Sequence, residues 1–164
     1  MRLELEVNGR QRALEVEPGD LLLDVLRRYG YYGAKRGCDT GDCGSCAILV
    51  EGRAINSCIA FAGQMGGKRL LTIKGLGTPE HLHPLQEAFL ERGAVQCGYC
   101  TPGMILLAKT LLDEDAQPSE RAVREVLAGV LCRCTGYRKP IEAVLLAAER
   151  MRKSAGSGGT GRVG

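Results

Sequence analysis

The sequence predicts an α+β chain of two unlike domains: a small mixed β-sheet crossed by one helix, then an all-α four-helix bundle. Three observations carry this. Apolar and polar residues alternate at the N-terminus, through Leu3-Glu4-Leu5-Glu6-Val7. Beyond a linker, Gly75-Leu76-Gly77-Thr78-Pro79, the apolar period changes from two to about 3.6 and strand signals stop. Eight cysteines divide into two sets of four, one on each side of that linker. The expected division is residues 1–75, residues 76–153, and a Gly/Ser-rich tail, 154–164, expected to be flexible.

In the first half, residues 3–7 form a strand, Asn8-Gly9 a hairpin turn and Ala13–Val16 the return strand. Pro18-Gly19 breaks the chain. Asp20 is expected to cap a helix over Leu21–Arg28, whose Leu22, Val25 and Leu26 face the core, and Gly30 to end it. A cysteine-rich loop follows. Ala47-Ile48-Leu49-Val50 reads as a short apolar strand, Glu51-Gly52 as a turn, and Ala54-Ile55 as a strand running back towards Cys58. Leu70-Leu71-Thr72-Ile73 is the last strand.

The second half reads as helices. His83-Pro84 begins the first, through Leu85, Ala88, Phe89 and Leu90, with Gly93 as its C-cap. Thr101-Pro102 is an N-cap followed by Pro at the first helical position. That helix carries Ile105, Leu106, Leu107 and Leu111 and ends at Asp113-Glu114-Asp115, a solvated helix end rather than an acid/base pair. Ser119 caps a third helix with Val123, Val126 and Leu127, and Pro140 opens a fourth with Ile141, Val144, Leu145, Ala148 and Met151 on one face. Short connections between such helices make a small antiparallel bundle.

The loop Gly37-Cys38-Asp39-Thr40-Gly41-Asp42-Cys43-Gly44-Ser45-Cys46, with Cys58 after an Asn56-Ser57 turn, has the spacing C-x4-C-x2-C followed by one distant Cys. That is the plant-type ferredoxin pattern, in which four thiolates hold a [2Fe–2S] cluster. A loop that wraps a cluster needs glycines, which admit positive φ and let backbone N–H groups approach the sulfurs. A four-cysteine zinc site is the rival, although zinc sites usually present two short knuckles. With this loop, residues 1–75 suit a β-grasp, plant-type ferredoxin-like domain.

The second set is Cys97-Gly98-Tyr99-Cys100, between helices one and two, and Cys132-Arg133-Cys134, between helices three and four. A bundle brings two such connections to one end, where four thiols converge. Helix N-termini after Cys100 and Cys134 then point their positive ends at an anionic centre. Zinc is again the rival, because C-x2-C is a common zinc knuckle. A redox dithiol at Cys97 and Cys100 lacks the βαβ setting such motifs have.

No secretory signal or apolar run of transmembrane length is present, and the chain is expected to be cytoplasmic, where clustered cysteines bind metal more often than they pair. The formal charge of +3 shifts to about −1 if eight thiolates hold two oxidised [2Fe–2S] cores. No basic stripe with interleaved aromatics is present, which argues against nucleic-acid binding.

Val7-Asn8-Gly9, the Gly37–Cys46 loop with Cys58, Gln96-Cys97-Gly98-Tyr99-Cys100-Thr101-Pro102-Gly103-Met104 and Cys132-Arg133-Cys134-Thr135-Gly136-Tyr137 together resemble the small iron–sulfur subunit of the molybdenum hydroxylases, the xanthine oxidase / carbon monoxide dehydrogenase family. The resemblance spans about residues 2–150. It implies an electron-transfer subunit that makes no bonds itself. A large partner subunit holds molybdopterin, often as the cytosine dinucleotide, and a medium subunit holds FAD, in a heterotrimer or its dimer, a heterohexamer. By the resemblance, Cys97, Cys100, Cys132 and Cys134 ligate the cluster proximal to molybdenum, and Cys38, Cys43, Cys46 and Cys58 the distal one. Gln96 matches a residue whose amide hydrogen-bonds the pterin, and Cys134 is expected to lie closest to it. Substrates in the family include aldehydes, purines and other N-heterocycles, carbon monoxide and aromatic-CoA thioesters. Val130 departs from the family's Asn, which tolerates a left-handed backbone better than a β-branched residue, so a different helix end is expected there.

Two other readings stay open on the residues alone: a freestanding two-cluster ferredoxin, and a zinc-stabilised interaction module without redox activity. His81 and His83 read as surface or packing residues, Tyr99 and Tyr137 as packing that shields the clusters, and Lys35 and Arg36 as a solvated pair.

Overall fold

The structure, a computed structural model, describes residues 1–157. Five strands form one sheet in the order β2-β1-β5-β3-β4: β1 Arg2–Val7, β2 Arg10–Glu15, β3 Ala47–Val50, β4 Arg53–Asn56 and β5 Arg69–Leu71. β1 pairs antiparallel with β2 and parallel with β5, and β3 lies antiparallel to both β4 and β5. The β1–β2 hairpin closes through Asn8 (φ 54°) and Gly9 (φ 76°), the two positive-φ residues that a tight turn matching strand twist requires. Leu3, Leu5 and Val7 point into a core completed by α1 (Leu22–Arg28), which buries Leu22, Leu23, Val25 and Leu26.

β3 departs from alternation because it is covered on both faces. Ile48 and Val50 belong to the α1 core. Leu49, on the other face, is also buried because a helix of the second half, α3 (Thr101–Glu114), packs against β3 and β4. The remaining helices are α2 (Pro84–Glu91), α4 (Glu120–Leu127) and α5 (Arg138–Ser157). With α3 they bury Leu85, Phe89, Met104, Ile105, Val123, Leu127, Ile141 and Val144 in a second, separate core.

Several element ends differ from expectation. Asp20 does not cap α1. Leu21 occupies the N-cap, and the Asp20 carboxylate instead accepts from Glu17 N (3.0 Å) and pairs with Arg28 (3.1 Å). The α1 C-cap is Tyr29, with Gly30 beyond it at φ 85°. The last strand stops at Leu71, because the Thr72 N–H is taken by the Asn8 side chain (2.8 Å) and Ile73–Gly75 turn as a 3₁₀ segment. Cys100 rather than Thr101 is the N-cap of α3, which places Thr101 and Pro102 inside its first turn. Arg92 is the C-cap of α2, and Gly93 follows it with φ 62°. α5 starts two residues before Pro140. Its last residues, 154–157, continue the helix where a flexible tail was expected, and residues 158–164 lie outside the described residues.

Ser119 caps α4 as expected, accepting from Ala122 N (3.1 Å). His83 is the N-cap of α2, where its Nδ1 accepts from Leu85 N (3.1 Å) in a reciprocal capping arrangement with Gln86. Burial, aided by the Lys109 charge, holds the imidazole below its ordinary pKa and so favours the neutral ring that can accept. Among the described residues, no helix is long and apolar enough to cross a membrane.

Candidate metal centres

The first cysteine set sits on the loop between α1 and β3 and on the turn after β4. Its thiols meet in two pairs. Cys38 hydrogen-bonds with Cys43, and Cys46 with Cys58. The loop conformation needs positive φ at Asp39 (65°), Gly41 (84°) and Gly44 (68°). Gly37 serves differently: a Cβ there would lie 2.6 Å from Cys43 Sγ, so its missing side chain makes room for the sulfur.

Backbone and side-chain donors surround these sulfurs. Cys43 N–H donates to Cys38 Sγ (3.4 Å), and hydrogen bonds from Thr40, then from Cys43, bring the Cys38 thiol down to about 6. Cys58 is pushed up to about 11, first by burial and then by its Cys46 neighbour. Asn56 braces the loop by donating to Gly41 O (2.6 Å), and Ser57 Oγ donates to Cys46 O (2.7 Å). Spacing located the four cysteines but did not reveal these two braces. The only sequence signal for them is the polar Asn56-Ser57 pair immediately before Cys58.

The second set repeats the pattern on helix connections. Cys100 lies against Cys132, and Cys97 against Cys134. Cys100 is buried and pushed up to about 12, chiefly by that burial and then by Cys132. At Cys132 burial opposes ionisation, but hydrogen bonds from Thr135 and the Cys134 backbone outweigh it and the thiol ends below its ordinary pKa. Cys97 and Cys134 are exposed, as is Gln96 beside them. Val95 and Tyr99, beside them in the chain, and Leu131, just before Cys132, are exposed as well. Ile59 and Phe61 are likewise exposed beside Cys58.

Tyr137 is the residue whose role the sequence did not show. It holds a left-handed backbone (φ 66°), and its hydroxyl accepts from Cys132 N (2.9 Å) and donates to Val130 O (2.9 Å). Its own N–H donates to Thr135 Oγ1, which also lies 3.1 Å from Cys132 Sγ. Tyr137 therefore ties the loop rather than simply covering it. Tyr99, 46% exposed, donates its hydroxyl to Arg36 O and so joins the two cysteine loops. Arg36 is not a free solvated cation, because it bridges Asp24 and Asp39. Val130 is fully buried with no positive φ, so its β-branch meets no left-handed penalty. The two metal loops touch directly where Leu131 N–H donates to Cys43 O (2.9 Å).

These residues fit two-iron clusters. Each set offers four soft sulfur donors in two pairs, with N–H groups of Cys43 and Thr135 aimed at sulfur. Among the described residues, no three His, Cys, Asp or Glu side chains close on a single ion-sized position. Thiols that meet in two pairs suit a core in which each iron takes two thiolates.

Two family models match the chain, a "2Fe-2S iron-sulfur cluster binding domain" over residues 5–69 and a "[2Fe-2S] binding domain" over residues 72–145. The chain is 44% identical over 149 residues to the nicotinate dehydrogenase small FeS subunit of Eubacterium barkeri, covering 90% of this chain and 95% of that one. Its structure is similar to that of quinoline 2-oxidoreductase from Pseudomonas putida 86, with TM-score 0.89 and 44% identity over 93% of this chain and 96% of that chain. It is also similar to aldehyde oxidoreductase from Desulfovibrio desulfuricans, with TM-score 0.90 and 42% identity, where 93% of this chain matches only 17% of the other.

Proposed function

The chain belongs to the small iron–sulfur subunits of the molybdenum hydroxylase family, whose part is electron transfer, and we propose that it links a molybdopterin site on a large subunit to FAD on a medium subunit. The observation that carries this is the exposure of the paired Cys97 and Cys134 and of Gln96, with Val95 and Tyr99 beside them in the chain also exposed, a surface suited to a partner. Cys38, Cys43, Cys46 and Cys58 hold one [2Fe–2S] cluster in a domain of residues 1–75. Cys97, Cys100, Cys132 and Cys134 hold the other in residues 76–153. When bound, each cluster supplies one-electron carriage. The chain's own residues supply sulfur ligation, N–H donors to those sulfurs, and direct contact between the two loops. The chain itself is non-catalytic, and the substrate of the complex is selected by the large subunit. We place the complex in the cytoplasm, as a heterotrimer or its dimer.

Low-temperature EPR after dithionite reduction, with iron and zinc counted on the same sample, tests the assignment. Two distinct S = 1/2 signals and about four irons per chain are expected. A silent sample with about two zincs overturns it and leaves a structural module.

Gln96 and Cys134 are assigned to the pterin end. Gln96→Ala is expected to keep both EPR signals while substrate-driven bleaching of the iron–sulfur chromophore slows by about tenfold or more, the scale of a lost outer-shell contact. An unchanged stopped-flow rate counts against the pterin contact.

A further inference from the structure

Resting on the cluster assignment above, we infer that Gly44 is a positioning residue that sets the separation of the two metal-ligating loops. Gly44 lies between Cys43 and Cys46, is buried, and presses against the backbone just before Cys132. A Cβ at Gly44 would stand 2.0 Å from Gly129 O and 3.0 Å from Val130 Cα. A Cβ at Gly103, in the turn after Cys100, would stand 2.8 Å from Gly44 O. The first loop thus meets, backbone to backbone, both the segment before Cys132 and the turn after Cys100. The hydrogen bond from Leu131 N–H to Cys43 O closes at this same contact.

Real Cβ contacts essentially never fall below 3.0 Å, so one methyl group at Gly44 forces the loops apart by about 1 Å. The obstacles are backbone atoms, which cannot swing aside as a side-chain tip can. None of the sulfur atoms is removed, so the displacement acts on the spacing between the sites, alongside the left-handed strain that any Cβ adds at Gly44 (φ 68°).

The test is Gly44→Ala in the native assembly, with iron counting and EPR of the fully reduced protein. The dipolar splitting between two reduced centres falls with the inverse cube of their separation. The expected result is full iron, both signals retained and a narrower splitting. Gly52→Ala is the control for backbone strain, since Gly52 has φ 80° with nothing near its Cβ position, and it is expected to keep the wild-type splitting. Full iron with unchanged splitting in Gly44→Ala overturns the inference. Should that variant not fold, Gly103→Ala decides by the same readout, because its helical backbone adds no left-handed strain. A wild-type protein lacking two signals sinks the cluster assignment itself, which is a separate failure.

Discussion

Replacing Cys100 by Ser is expected to halve the iron content, from about four atoms per chain to about two, and to abolish one of the two EPR signals. Cys100 is the most deeply buried thiol of its set and pairs with Cys132. A serine hydroxyl is a hard donor, and only one cysteine thiolate, that of Cys132, then remains for that iron. Metal binding to such thiolate sites is folding energy, on the order of 10 kcal/mol for structural zinc at four sulfurs. The helical half is therefore expected to lose stability as well as metal. The surviving signal should belong to Cys38, Cys43, Cys46 and Cys58, because the sheet core and the bundle core are separate clusters of side chains. Cys46→Ser should do the reverse. Loss of both signals from either variant would show that the two sites load only together.

Tyr137→Phe is expected to carry the next largest effect, a loss of about 1–3 kcal/mol confined to the bundle. The change removes one oxygen, yet that oxygen serves two backbone groups, the Cys132 N–H and the Val130 carbonyl. Both flank the Cys132 thiol on a loop that also spends a non-glycine residue in the left-handed region. The measurement is thermal unfolding, together with the rate at which a chelator strips iron from the second site. Faster stripping with the first EPR signal untouched is expected. Tyr99→Phe makes a useful comparison, because its hydroxyl serves a single carbonyl, Arg36 O, at an exposed position. No effect from Tyr137→Phe would mean that Tyr137 acts only through its ring.

Much of this chain was legible in one dimension. The Asn8-Gly9 turn, the Ser119 cap and the change of period after Gly75 are local signals, and local backbone chemistry realises them. The errors cluster where a distant partner intervened. Asp20 looks like a helix cap, but Arg28 and the Glu17 N–H claim its carboxylate. Thr72 looks like strand, but the Asn8 side chain, 64 residues earlier, takes its N–H.

The sequence by itself determined where the eight cysteines lie and that they fall into two sets of four, because spacing within a loop is a property of the covalent chain. It also determined the alternation of β1 and the helical period of the second half. Only the tertiary structure decided how the thiols pair, since that depends on two loops folding back on one another. It alone decided that β3 is covered on both faces by helices from two halves of the chain, and that Gly44 meets Gly129. Those contacts join residues far apart in sequence, and their geometry comes from packed backbones rather than from any local pattern.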